Sequence, residues 1–312
     1  MAKRKTHSTL PSSVLIDLPE PLAVVCHDAG ATNLIVSWLK HYSGAVQCCR
    51  RGPAAVLWGR AFPGSRRFSL ENALKGAAVL LTGTSWASDI EHRARKLART
   101  SGMRSIAVVD HWVNYRERFV RGEELVQPTE LWVADDEARM EARRCFPRLP
   151  IRQLPNLYLE ELAQEIAACH PQPARQCPQN ILYVLEPIRT HWGHDDRPGE
   201  LQAFEFFMNN LSRIGVADGV QIRLRPHPSD ASGKYVGWLG HFPRVNIEID
   251  TAGSLAEQIA WADWVVGCES FALVVALHAK RIVISTLPPW ASRCRLPHRG
   301  LLHLRDMLPS PT

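Results

Sequence analysis

The sequence predicts an α/β protein of two Rossmann-like domains facing a cleft, and three observations carry that prediction. Short apolar runs recur along the chain, each followed by a polar turn and a helical stretch, which is the alternation of a parallel, doubly wound sheet. Near the middle a polar, Pro-rich segment from His170 to Gln179 interrupts the alternation and reads as a linker. At 312 residues, 46% hydrophobic and 22% charged, the chain is globular and long enough for two domains. The expected organisation is a basic flexible leader over 1–20, an N-terminal domain over 21–169, the linker over 170–179 and a C-terminal domain over 180–312.

In the N-terminal half, Leu22 to Cys26 is the first buried strand. A polar turn from His27 to Asn33 and an amphipathic helix to about His41 follow it. Ala54 to Trp58 reads as a weaker second strand and Ala77 to Thr82 as a clear third. The third ends in Gly83 to Asp89 ahead of a charged helix whose N-cap is Ser88 or Asp89. Arg104 to Asp110 is the fourth strand, Glu130 to Ala134 leads through Asp135 and Asp136 into a helix, and Ile151 to Leu154 is a short last strand. Beyond the linker come a strand from Asn180 to Leu185, a helix from Gly199 to about Arg213, and strands from Val220 to Arg225 and from Val245 to Ile249. A helix from Ser254 to Ala260, the strand Trp264 to Val266, a helix from Phe271 to His278 and the strand Arg281 to Ser285 complete the pattern. Trp261 and Trp264 read as core rather than as a ligand platform.

Candidate chemistry gathers at the C-terminal ends of these strands, where open α/β sheets bind ligands. The strand ending at Arg225 is stopped by Pro226 and Pro228, which hold His227 in a stiff loop with Arg225 on the same strand face. In the second such stretch, Gly267-Cys-Glu-Ser270 opens a helix whose free N–H groups favour phosphate. Ser270 then donates to phosphate and Glu269 accepts from ribose hydroxyls, against the plainer reading of an N-cap and a first-turn acid. Together these stretches suggest a pocket for a nucleotide mono- or diphosphate.

In the first half Asp28, flanked by His27 and by Gly30 for close ligand approach, is the best candidate general base. Its competing reading is a helix N-cap. Asp110 and His111 share that placement, with an Asp–Arg pair as the plain alternative. Thr84, Ser85 and Ser88 are turn and cap residues or an acceptor-binding set. Glu186 and Arg189 end the first strand of the second half. The loop after them carries His191, His194, Asp195 and Asp196, which reads as a mobile loop over the cleft rather than as a metal site.

Composition excludes several classes. The eight cysteines are scattered without a CxxC pair, against a zinc site or a disulfide framework and in favour of a reducing cytoplasm. No apolar run is long enough for a transmembrane helix, and the basic N-terminus lacks the apolar core of a signal peptide. A formal net charge of +6 suits anionic ligands or peripheral contact with an anionic inner membrane, through the leader and Arg293, Arg295 and Arg299. No aromatic-basic motif supports nucleic acid.

The strand ending in Arg225-Pro-His-Pro and the later Gly267-Cys-Glu-Ser270 resemble the HP motif and serine motif of GT-B-fold bacterial glycosyltransferases. These include the capsule and lipopolysaccharide sialyl- and Kdo-transferases and the teichoic-acid polyol-phosphate polymerases. The resemblance spans about 60 residues of the C-terminal half. It implies that His227 contacts the donor phosphate, Ser270 binds phosphate and Asp28 acts as base, with an N-terminal acceptor domain and a C-terminal nucleotide-donor domain. The chain departs from the pattern in having His27-Asp-Ala-Gly30 as its acidic motif and a single Ser270 in place of a serine pair.

The implied activity is metal-independent transfer of a sugar, a CMP-activated acidic sugar being the donor indicated, to a surface-polysaccharide or glycolipid acceptor without a cofactor. The alternatives are a UDP-sugar 2-epimerase or hydrolase, a CDP-polyol phosphotransferase, and a non-catalytic nucleotide- or glycan-binding protein.

Overall fold

The computed structural model describes residues 17–308 except 174, 217 and 244, so most of the expected leader lies outside the described residues. The chain divides into two compact units, the first ending at Tyr158 and the second beginning at Leu159.

In the first unit the strands are β1 (Leu22–Cys26), β2 (Val46–Arg50), β3 (Val79–Thr82), β4 (Arg104–Val108), the hairpin pair β5 (Val120–Arg121) and β6 (Glu124–Leu125), β7 (Glu130–Val133) and β8 (Ile151–Gln153). Six of them form one parallel sheet in the order β2-β1-β3-β4-β7-β8. The helices are α1 (Ala29–Leu39), α2 (Pro53–Ala61), α3 (Leu70–Leu74), α4 (Ile90–Thr100), α5 (Asp136–Cys145) and α6 (Leu157–Ala168), the last of which runs across the unit boundary.

β1 is buried along its whole length because both faces of a parallel sheet are covered. Leu22, Val24 and Cys26 pack with Ile35 and Trp38 of α1. Ala23 and Val25 face the other way, onto Ile90, Ala94 and Ala98 of α4. Trp38 meets Trp132 edge-on at 5.8 Å and donates its indole N–H to the Pro155 carbonyl at 2.8 Å.

Two expectations fail here. Ala54–Trp58 is part of helix α2 and not a strand, because Gly52 at φ +53° turns the chain and Pro53 presets the first helical residue. The second strand is instead Val46–Arg50, with Val46 packed against the core and Cys48 and Cys49 buried. The turn expected from His27 to Asn33 ends at Asp28, and Gly30 to Asn33 lie inside α1.

The second unit repeats the architecture with β9 (Asn180–Val184), β10 (Gln221–Arg225), β11 (Asn246–Ile249), β12 (Trp264–Gly267), β13 (Ile282–Ser285) and β14 (Leu301–His303), in the order β11-β10-β9-β12-β13-β14. Its helices are α7 (Gly199–Met208), α8 (Val236–Leu239), α9 (Leu255–Trp261), α10 (Phe271–His278) and α11 (Leu304–Met307). The helix expected to reach Arg213 stops at Met208, and a separate 3₁₀ turn covers Ser212–Ile214. Tyr183, Phe204, Phe207, Leu224 and Trp264 are the bulk of the core.

The direction of chain progression reverses between β1 and β3 in the first unit and between β9 and β12 in the second. Those switch points, at the carboxyl ends of the strands, are where this fold opens a crevice for ligands.

Candidate functional site

In the second unit β10 carries Arg225 to the sheet's C-terminal edge. Its Nη1 donates to the Gly253 carbonyl at 2.9 Å and to Gln258 Oε1 at 2.5 Å, fixing the guanidinium against the loop before α9. Burial lowers its pKa, and Asp250 nearby opposes the shift. Pro226 then turns the chain, and His227, Pro228 and Asp230 line a cavity of about 370 Å³ with Arg225 and Asp250.

The tautomer of His227 follows from its neighbours. Ser229 donates its backbone N–H to Nδ1 at 3.2 Å, and its hydroxyl lies 2.7 Å from the same nitrogen. A backbone N–H can only donate, so Nδ1 is the acceptor and Nε2 carries the proton. Burial lowers the His227 pKa despite the counter-pull of Asp230. At neutral pH His227 is therefore a neutral N–H donor.

Asp230, which sequence reasoning missed, holds this loop. It accepts from the His227 backbone N–H at 3.1 Å, from Tyr235 at 2.8 Å and from Arg189 at 2.6 Å. Burial pushes its pKa up, but these donors with Lys234 outweigh it and hold the carboxylate at about 2. Arg189 also forks onto buried Glu200 at 2.9 Å, so its charge is spent inside the protein framework. An Asp two residues after an HP pair was the available signal.

At the start of α10 the Ser270 hydroxyl caps the helix, accepting from Ala272 N at 3.2 Å. The N–H groups of Cys268 and Glu269 point at Glu186 Oε1, at 3.1 and 2.7 Å. A carboxylate from the loop after β9 thus takes the donors that an incoming phosphate would use. Burial raises the Glu186 pKa to about 7 against the lowering effect of those N–H groups. Glu269 is gripped by the Arg295 guanidinium and also accepts the Arg295 backbone N–H at 3.1 Å.

The histidines expected in the neighbouring loop are engaged elsewhere. His194 stacks on Trp290 at 4.0 Å, His191 Nδ1 accepts from Gly193 N at 3.3 Å, and Asp195 pairs with Arg197 at 2.5 Å. Trp264 is buried as expected, while Trp261 lies half-buried under Arg223 at 4.0 Å.

In the first unit, Asp28 stands at the N-terminus of α1 without capping it. Its Oδ1 lies 2.7 Å from His27 Nδ1, and a carboxylate can only accept, so Nδ1 holds a proton and Nε2 has the lone pair. The Ser85 hydroxyl is 3.4 Å from the same Nδ1. Gly30 and Asp110 are in direct contact, a Cβ on Gly30 coming within 1.7 Å of Asp110 Oδ2. Arg118, only 8% exposed, reaches Asp110 Oδ1 at 3.5 Å and Thr84 Oγ1 at 3.4 Å, so Asp110 has the arginine neighbour foreseen as its plain reading. His111 Nδ1 accepts from Trp112 N at 3.0 Å.

The residue missed in this unit is Glu91, which looks like an ordinary first-turn acid of α4. It is 1% exposed and accepts from His27 N at 2.9 Å and from Ser85 N at 2.5 Å, tying the loop after β1 to the loop after β3. Burial raises its pKa to about 7. Glu91 and Glu186 are counterparts: each, Glu91 buried and Glu186 half-buried, is a carboxylate that ties together, through backbone N–H groups, the two loops flanking its unit's switch point.

No family model matches the sequence, and no curated protein matches it. Among solved structures the chain is similar to a putative UDP-N-acetylglucosamine 2-epimerase from Listeria monocytogenes (TM-score 0.53, 11% identity, 84% of this chain and 78% of that chain). It is similar to the same degree to a UDP-N-acetylglucosamine 2-epimerase from Rickettsia bellii (TM-score 0.52, 11% identity, 85% and 78%). A weaker likeness reaches a sucrose-phosphate synthase from Thermosynechococcus elongatus (TM-score 0.46, 12% identity, 85% and 81%). At such identities the likeness is one of fold. The chain accordingly has the GT-B type of α/β fold, with two six-stranded parallel sheets.

Proposed function

We propose that this chain is a nucleotide-sugar-dependent glycosyltransferase whose second unit holds the donor phosphate. The observation that carries the reading is the Arg225-Pro226-His227 strand end. It aligns a braced guanidinium and a neutral imidazole with its proton on Nε2 along one cavity of about 370 Å³. Preorganised donors of this kind stabilise the charge that develops on a leaving phosphate. Asp28 Oδ1 is engaged by His27, and Oδ2 is assigned the acceptor proton. As that proton moves to Asp28, the acceptor oxygen bonds to the anomeric carbon. The bond from that carbon to the phosphate oxygen breaks, and its electron pair stays on the phosphate, the group that Arg225 and His227 are proposed to hold. A CMP-activated acidic sugar and a polysaccharide or glycolipid acceptor remain the proposed substrates, and EDTA is expected to leave turnover unchanged.

The test is transfer from a panel of nucleotide sugars by wild type and His227→Ala. Loss on the order of 100-fold with an unchanged melting temperature is expected for removal of a single phosphate donor. Near wild-type turnover in the variant contradicts the assignment. The likeness in fold to UDP-N-acetylglucosamine 2-epimerases favours one second reading, a UDP-sugar epimerase or hydrolase using the same phosphate site. That reading predicts turnover of a UDP-sugar with no acceptor present.

A further inference from the structure

The positive charge of this chain is unevenly placed. Between Asp28 and Glu71 there is no carboxylate, while Lys40, Arg50, Arg51, Arg60, Arg66 and Arg67 fall in that interval and match the formal net charge of +6 of the whole protein. The fold concentrates the arginines further. Buried Arg50 donates to the backbone carbonyls of Arg66 at 3.1 Å and Ser65 at 2.9 Å, and Arg67 pairs with Cys48 of β2 in a parallel bridge. The segment after α2 is thereby held beside the end of β2, and both Arg51 and Arg67 act on the Cys49 thiol. β2 is the edge strand of its sheet, and the Arg67 bridge lies on its outer side.

Arg51, Arg60, Arg66 and Arg67 are exposed, and among the described residues none of them has a carboxylate partner. Elsewhere several surface arginines pair, as Arg99 does with Glu124, Arg144 with Glu141 and Arg197 with Asp195, while Arg116, Arg143, Arg148 and Arg299 are exposed without a carboxylate partner among the described residues. Of the three arginines that the sequence suggested for membrane contact, Arg295 is held by Glu269, Arg293 lies 3.5 Å from Asp306, and Arg299 alone is exposed without an ion pair among the described residues. The outer face of α2 adds an aliphatic element: Val56 is 55% exposed one turn before Arg60, with Pro53 also exposed.

We propose that this face of the first unit, Arg51, Arg60, Arg66 and Arg67 around Val56, is the contact surface for an anionic phospholipid leaflet. Guanidinium groups without carboxylate partners attract phosphate headgroups, Arg66 resting 5.1 Å from the Phe68 ring, and an exposed aliphatic side chain among them suits the headgroup–acyl boundary. A soluble polyanionic glycan fits less well. The exposed stripe of α2 offers it neither a hydrogen-bonding side chain beyond Arg60 nor an aromatic platform, since Trp58 is buried. Each arginine near such a leaflet strengthens partition about five-fold, and added salt removes the effect.

The test is co-sedimentation of the full chain with phosphatidylcholine vesicles and with vesicles of three parts phosphatidylcholine to one part phosphatidylglycerol. Sedimentation is expected only with the anionic vesicles. It should fall with salt, drop at least ten-fold when Arg51, Arg60, Arg66 and Arg67 are all changed to Ala, and drop less in the Arg51→Ala/Arg60→Ala and Arg66→Ala/Arg67→Ala pairs. The pairs keep the test decisive should the quadruple variant misfold. Binding retained in folded variants assigns attachment to residues outside this patch and overturns the proposal. Binding indifferent to phosphatidylglycerol, or to polyphosphate but not to vesicles, overturns it as well. Nucleotide-dependent thermal stabilisation of the same variants reports separately on the donor site.

Discussion

Glu186 accepts from the Cys268 and Glu269 N–H groups at the start of α10, so a nucleotide phosphate of the proposed function bound there would compete with this carboxyl. Cys268, Glu269, Tyr183, Cys294 and Arg295 surround that carboxyl, and burial brings its pKa to about 7. Lowering the pH from 8 to 6 protonates it and removes a negative charge from beside the phosphate. Nucleotide affinity, measured by titration calorimetry, is therefore expected to rise over that window in wild type and to rise less in Glu186→Gln. An identical pH profile in the two proteins contradicts the competition.

The same raised pKa values give a stability signature. The folded carboxyls of Glu91 and Glu186 hold protons that the unfolded chain releases near pH 4.5. Their contribution to stability is full below that pH and is lost as pH rises through about 7. Urea midpoints should thus favour pH 6 over pH 8, by less in Glu91→Gln.

His227 and Arg225 were legible in the sequence because proline marks a strand end in one dimension. The Glu186 grip on Cys268 and Glu269 was not, because it depends on β9 lying beside β12, which puts Cys268 against Glu186 across 82 residues of chain.

At the level of elements, a glycine sets the loop ahead of α2 in the first unit. Gly52 sits at φ +53°, and a Cβ there would lie 2.7 Å from His27 Nε2. Gly52→Ala combines backbone strain of order 1–3 kcal/mol with displacement of the His27 ring, visible as a lower melting temperature and changed chemical shifts of the His27 ring by NMR. In the second unit Ser254 and Glu257 form a complete capping box at α9, the helix whose Gln258 braces Arg225. Ser254→Ala is expected to cost about 1 kcal/mol by chemical denaturation.

Ser270 as a cap and the Phe271–His278 helix it opens were readable from cap chemistry and from the preceding strand. Helix α2 was misread because an Ala-Val-Leu-Trp run fits a short strand as well as a helix turn. Its deciding feature was the Gly52-Pro53 pair ahead of it.

For the molecule as a whole, periodicity was enough to give two parallel sheets, since each unit closes its own core around strands that read as apolar runs. What periodicity left out is the order of strands within each sheet, and with it the pairing of loops at each switch point. The charge asymmetry was present in the sequence as an acid-free interval from 29 to 70, but its meaning depends on which arginines the fold leaves without partners.

The central claim, that the second unit binds a nucleotide phosphate through Arg225 and His227, is met most directly by thermal-shift measurements with CMP, CDP, UDP, GDP and ADP in EDTA on wild type and His227→Ala. Ligand at about 100 times its dissociation constant adds roughly 2.7 kcal/mol, a readily visible shift. A selective response to one nucleotide, CMP being the one expected, that disappears in His227→Ala is the predicted result. No response to any nucleotide, or an equal response in the variant, contradicts it.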